Sequence, residues 1–256
     1  MKRYGWLLGC CLFLSIGMLW AADEPDLRML QQKAAQSRDM EGYVGVCKYL
    51  YQTEENPELL LLYADSIHQL ATKSKKPEQL VEYYIWASEG NFIKGDFQQG
   101  YALKRKAIAL AEKAGLKFAI SQSCCDMGYY CNVDARYDSA RYYFRKGLEA
   151  GEDLSEAGEA CRTMLTNYAS SFLFEGKTDS ALVYTIRASE RSAADKDTAM
   201  LIENLNQLGT IYRRKKNLEN CIANFEQALH LCELRGNHNA VAFIYGNIAT
   251  AYCDWN

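Results

Sequence analysis

Two rows of polar side chains recur along the sequence at a spacing of about 40 residues. The first row is Asp126, Asn167, Gln207 and Asn247; the second is Glu89, Tyr129, Ser170, Thr210 and Thr250. Carboxamides and hydroxyls offer both hydrogen-bond donors and acceptors. A column of such groups suits the backbone of an extended peptide, whose amides need partners once buried. The candidate peptide-binding residues are Asp126, Tyr129, Asn167, Ser170, Gln207, Thr210, Arg213 and Asn247. The competing reading is that these groups bond a neighbouring helix or stay solvated.

A row of this kind needs elements that repeat in register, and the sequence supplies them. Leu208-Gly209 and Tyr212 recur as Ile248-Ala249 and Tyr252, as Tyr168-Ala169 and Phe172, and as Met127-Gly128 and Cys131. Ala87-Ser88 is a weaker copy. Each copy is followed by a second half in step. Gly100, Ala140, Ala181 and Cys221 form one ladder of small residues, and Ala107, Gly147, Ala188 and Ala228 a second. Phe144 and Phe225 share a slot that Lys104 and Thr185 fill less well. Gly95 and Gly176 fall where the chain must reverse. Two helices per period of about 40 residues describe an all-α solenoid, in which each hairpin of helices buries its faces against the next.

The set Leu205, Leu208, Gly209, Tyr212, Cys221, Phe225 and Ala228 resembles the tetratricopeptide repeat family, with Cys221 in place of the usual alanine and the closing proline absent. The resemblance implies a right-handed α-solenoid of antiparallel helix pairs whose first helices line a concave ligand-binding surface. It runs from about Val81 to Asn256. Its charged variant, which grips a terminal carboxylate, finds no match beyond Arg213.

Three segments are expected. Residues 1–22 read as a secretory signal: Lys2 and Arg3, then apolar Leu7 to Leu19, then small residues to Ala22. Residues 23–80 read as an N-terminal cap helix (26–37) and a degenerate repeat (40–74), with Val44, Cys47 and Tyr51 facing inward. Asn56-Pro57 and Pro77 look like helix starts. Residues 81–256 read as the array, with an incomplete last repeat that suggests a continuing chain.

A net charge of −3 gives no nucleic-acid footprint. Arg213 to Lys216 is the one basic run and suits a helix C-terminus. Ten cysteines show no metal or disulfide spacing; their place in the packing rhythm makes them small core residues. No HExxH, GxSxG or phosphate-binding loop occurs, so no enzyme, metal or cofactor is expected. The expected protein is an exported scaffold, periplasmic in a Gram-negative bacterium, that binds a protein or peptide and no nucleic acid. The membrane enters only through the signal segment or a missing C-terminal part. The alternative is the periplasmic sensory half of a membrane-anchored transcription regulator or histidine kinase.

Overall fold

The computed structural model describes residues 26–54 and 56–255. The expected signal segment lies outside them. The described residues form twelve α-helices and no strand. They are α1 (Leu27–Ser37), α2 (Met40–Thr53), α3 (Pro57–Ser74), α4 (Pro77–Lys94), α5 (Phe97–Ala114), α6 (Lys117–Val133), α7 (Tyr137–Gly151), α8 (Gly158–Phe174), α9 (Thr178–Ala194), α10 (Thr198–Arg214), α11 (Leu218–Leu234) and α12 (His238–Cys253). None is long and apolar enough to cross a membrane.

Local chemistry sets the boundaries. A free N-terminal N–H is met by a side-chain oxygen at one start after another. Asp39 accepts from Gly42 N, Asn56 from Leu59 N, Asp96 from Gln99 N, Asp197 from Met200 N, Asn217 from Asn220 N and Asn237 from Ala240 N. Pro57 and Pro77 open α3 and α4, where a missing N–H costs nothing. The reversals at Gly95 and Gly176 take positive φ, 89° and 81°. Ala135 and Lys216 hold the same turn position at 57° and 55°, so the backbone repeats even where the glycine does not.

The described chain forms two compact units. The first comprises residues 26–127 and 146–157, the second 128–145 and 158–255. In the first, α4 packs against α3 and α5, and α2 touches α4 across the intervening helix. In the second, α8, α10 and α12 lie in one row, with α9 and α11 packed between them. Neighbours in sequence are neighbours in space, as repeat packing requires.

The cores follow the small-residue ladders. Ala107 in the first unit, and Ala140, Ala181, Ala188, Cys221 and Ala228 in the second, are fully buried. Among the described residues seven cysteines are buried, and Cys253 is exposed. Of the expected inward residues of α2, Cys47 is buried and Val44 partly so. Tyr51 is 37% exposed, its ring edge-on to Trp86 at 6.2 Å.

Candidate peptide-binding face

Each second helix offers one residue to the joint with the first helices: Lys104 in α5, Phe144 in α7, Thr185 in α9 and Phe225 in α11. All four are fully buried. Two chemistries alternate. Where the residue is Phe, glycine stands opposite. A Cβ on Gly209 would lie 2.5, 2.6 and 2.8 Å from carbons of the Phe225 ring, and one on Gly128 would come under 3.0 Å from Phe144. Glycine is present there because the ring occupies the space of a side chain.

Where the residue is polar, the predicted rows supply its partners. Lys104 Nζ pairs with Glu89, which is 2% exposed, and with Asp126 Oδ2 at 2.9 Å. Burial alone pulls the ammonium towards neutrality. Asp126 and Glu89 outweigh it and hold the pKa above the ordinary lysine value. Thr185 repeats the arrangement without charge. Its Oγ1 lies 3.0 Å from Gln207 Oε1 and 2.8 Å from the Ala181 carbonyl, sharing one proton between them. Gln207 Nε2 donates to Ser170 Oγ at 2.7 Å, and Ser170 donates to the Thr166 carbonyl. In both joints a residue of the second row and one of the first row close around the slot.

Asp126, Ser170 and Gln207 are therefore engaged inside the stack. The remaining candidates lie nearer the surface, all partly buried. Tyr129 stacks edge-on with Tyr130 at 5.4 Å. Asn167 offers its backbone carbonyl to Asn132 Nδ2. Thr210 donates to the Asn206 carbonyl. Arg213 Nε stands 3.7 Å from Asp254. Asn247 Nδ2 donates to Asn206 Oδ1 at 2.8 Å, linking α12 to α10. Among the described residues, Asn206 Nδ2 and Asn247 Oδ1 have no partner. Asn206 and Asn247 together thus present a free amide NH2 group and a free carbonyl oxygen, the complement of a peptide amide.

Sequence reasoning missed Asn206, which precedes the chosen row by one residue. It also missed a second internal network: buried Asn204 accepts from Thr166 Oγ1 at 2.9 Å and donates to Ser192 Oγ at 3.1 Å. The available signal was the polar residue at the Phe slot. Lys104 and Thr185 depart from the aromatic pattern, and a buried polar group requires partners nearby.

The same face carries an acidic side chain in an unfavourable setting. Glu203 on α10 is partly buried, and burial, with Asp197 adding negative charge, pushes its carboxyl up to about 7. A raised folded value means that stability is fully present below the unfolded value near 4.3 and is lost as pH rises towards about 7. Glu203→Gln removes that loss. Urea titration should show the variant about 2 kcal/mol more stable than the parent at pH 8, with the two nearly equal at pH 4.

Residues 200–256 match the tetratricopeptide repeat family model. No curated protein matches the chain. Among solved structures, apo RapI superposes with a TM-score of 0.69 at 10% identity, covering 89% of this chain and 64% of that one. Aspartyl phosphate phosphatase F from Bacillus subtilis gives 0.61 at 15% identity, covering 88% and 63%. PlcR from Bacillus thuringiensis, solved with the peptide PapR7 and DNA, gives 0.53 at 13% identity, covering 87% and 85%. This chain thus spans under two thirds of the length of RapI and of the phosphatase. Identities this low carry the fold alone. The chain bears tetratricopeptide repeat sequence over residues 200–256, and its described residues have a tetratricopeptide-repeat-like all-α fold.

Proposed function

We propose that the chain is a non-catalytic scaffold that binds an extended segment of a protein or peptide along the row α8, α10 and α12. The observation that carries this reading is the Asn206–Asn247 pair. Two carboxamides from successive first helices meet at 2.8 Å and leave a donor and an acceptor for a passing amide. Tyr129, Asn167, Thr210 and Arg213 extend the proposed contact surface. PlcR, a protein of the same fold, was solved with a peptide. The absence of catalysis is supported by the thiols: burial pushes Cys47 and Cys124 up to about 12, so both stay protonated and weakly nucleophilic at neutral pH. Export to a periplasm rests on residues 1–22 alone.

The test is a peptide-array screen comparing the parent with Asn206→Ala/Asn247→Ala, each confirmed helical by circular dichroism. Peptides retained by the parent should bind the variant at least about tenfold more weakly, since two hydrogen bonds are removed. An unchanged set at unchanged affinity would remove the groove reading.

A second reading places the array as the sensory half of a membrane-anchored regulator. It draws on PlcR, whose structure also contains DNA. It requires two states of the array that differ in ligand affinity.

A further inference from the structure

Charge is sparse in the row α8, α10 and α12. Its Asp, Glu, Lys and Arg residues are Glu159, Arg162, Glu203, Arg213 and Arg214, and α12 supplies none of them. Arg162 is held by Asp195 and Asp197, each at 2.9 Å. Arg214 donates to the Leu173 carbonyl at 2.8 Å, and Arg213 stands beside Asp254. Glu159 is exposed near the start of α8. Among the described residues, Glu203 has neither a hydrogen-bond nor an ion-pair partner.

Glu203 also sits at the middle of the face. Leu205, Leu208 and Tyr212 turn one side of α10 towards the core it shares with α11. At about 100° per residue, Glu203 and Thr210 lie on the opposite side, with Asn206 about 60° round from Glu203. The face is sunken: from Met200 to Arg213 no residue of α10 is exposed. A carboxyl on such a floor is partly stripped of water yet still reachable. Burial and the negative charge of Asp197 both push it up, and no cation among the described residues offsets them. Buried Glu89 meets the same difficulty with an internal counter-ion, Lys104. At Glu203 that place is open to a ligand, and an uncompensated acid in a cleft points to binding.

We propose that the segment bound along this row carries a lysine or arginine whose side chain reaches Glu203, beside the amide held by Asn206 and Asn247. Glu203 precedes Asn206 by three residues, about 4.5 Å along α10. A Lys or Arg stem spans that distance from a backbone lying at the asparagine pair. Folding has already removed much of the water from Glu203, so the arriving cation gains a charge-assisted hydrogen bond to a group that is largely desolvated beforehand. It also favours the ionised carboxylate. The groove therefore selects basic segments. This inference rests on the groove reading and adds to it the chemistry of one ligand side chain.

The experiment uses the chain and an array of acetylated, amidated heptapeptides of randomised sequence. Peptides retained by the parent should share Lys or Arg at one position. Each is resynthesised with norleucine there and compared by fluorescence anisotropy. The norleucine form should bind the parent about ten- to hundredfold more weakly, the range for a hydrogen bond to a charged group. Glu203→Gln, with unchanged helical circular dichroism, should bind the two forms equally. Asn206→Ala/Asn247→Ala should bind both more weakly but keep the preference for the basic form. Retained peptides without a shared basic position would overturn the inference and leave the groove standing. So would a preference for the basic form that persists in Glu203→Gln. No retained peptide at all would remove the groove reading and this inference with it.

Discussion

Gly209→Val should destabilise the second compact unit by about 3 kcal/mol, within the range for overpacking a close-packed core. Gly209→Ala should cost about 1–2 kcal/mol. That sign is informative, because alanine in a helix interior is ordinarily about 1 kcal/mol better than glycine. Here the first added carbon meets the Phe225 ring at 2.5–2.8 Å, and that ring is only 1% exposed and cannot swing away. The remedy must come from the ring. Phe225→Leu should cost about 1–2 kcal/mol alone yet recover much of the loss when combined with Gly209→Ala. Urea unfolding of the four proteins measures the coupling. Additive losses, or a neutral Gly209→Ala, would mean that ring and glycine do not oppose one another.

Lys104→Met should cost about 3–5 kcal/mol, the range for removing one member of a buried ion pair. The cause is what stays behind: Glu89, almost fully buried, loses its counter-ion. Asp126, with 21% of its side chain exposed, retains access to water and adds less. The double variant Lys104→Met/Glu89→Leu should regain most of the loss, since replacing both buried charges with apolar groups is often close to neutral. The pH dependence runs one way. Lys104 has a raised folded pKa, so its contribution is fully present below the unfolded value near 10.4 and is lost as pH rises through the folded one. Urea midpoints at pH 7 and pH 9 should therefore show the same gap between parent and Lys104→Met, because both pH values lie below that window. A Lys104→Met protein as stable as the parent at pH 7 would show that the ion pairs add nothing.

Helix pairs, their turns and their small-residue ladders were legible because each comes from packing that must recur. Gly209, Cys221 and Phe225 are constrained by one joint, and their counterparts by the next. The polar rows were legible as rows but ambiguous in direction. Period locates a residue on a helix face to within one position, and Asn206 and Gln207 differ by about 100° around the axis. One points to the surface and the other closes on Thr185. Periodicity alone does not separate them. The identity of the opposing slot residue does, since a polar slot draws its row inward while a Phe slot needs no such partner. Tyr51 illustrates the same limit: its position matches the inner stripe, but the Trp86 ring fills the space and leaves it partly wet.

The alternation of joints has a consequence for how such a chain can change length. Lys104 is ion-paired with an acid from the following hairpin, and Thr185 hydrogen-bonds an amide from the following hairpin. Excising the single hairpin between them would set Lys104 beside Asn167, which has no charge to give. Excising the Thr185 hairpin would leave Phe144 followed directly by Gln207, its carboxamide without the hydroxyl it now meets. The order of hairpins is thus written into the joints. Gain or loss of one repeat must bring a compensating change at the seam, even though every backbone pair has the same shape.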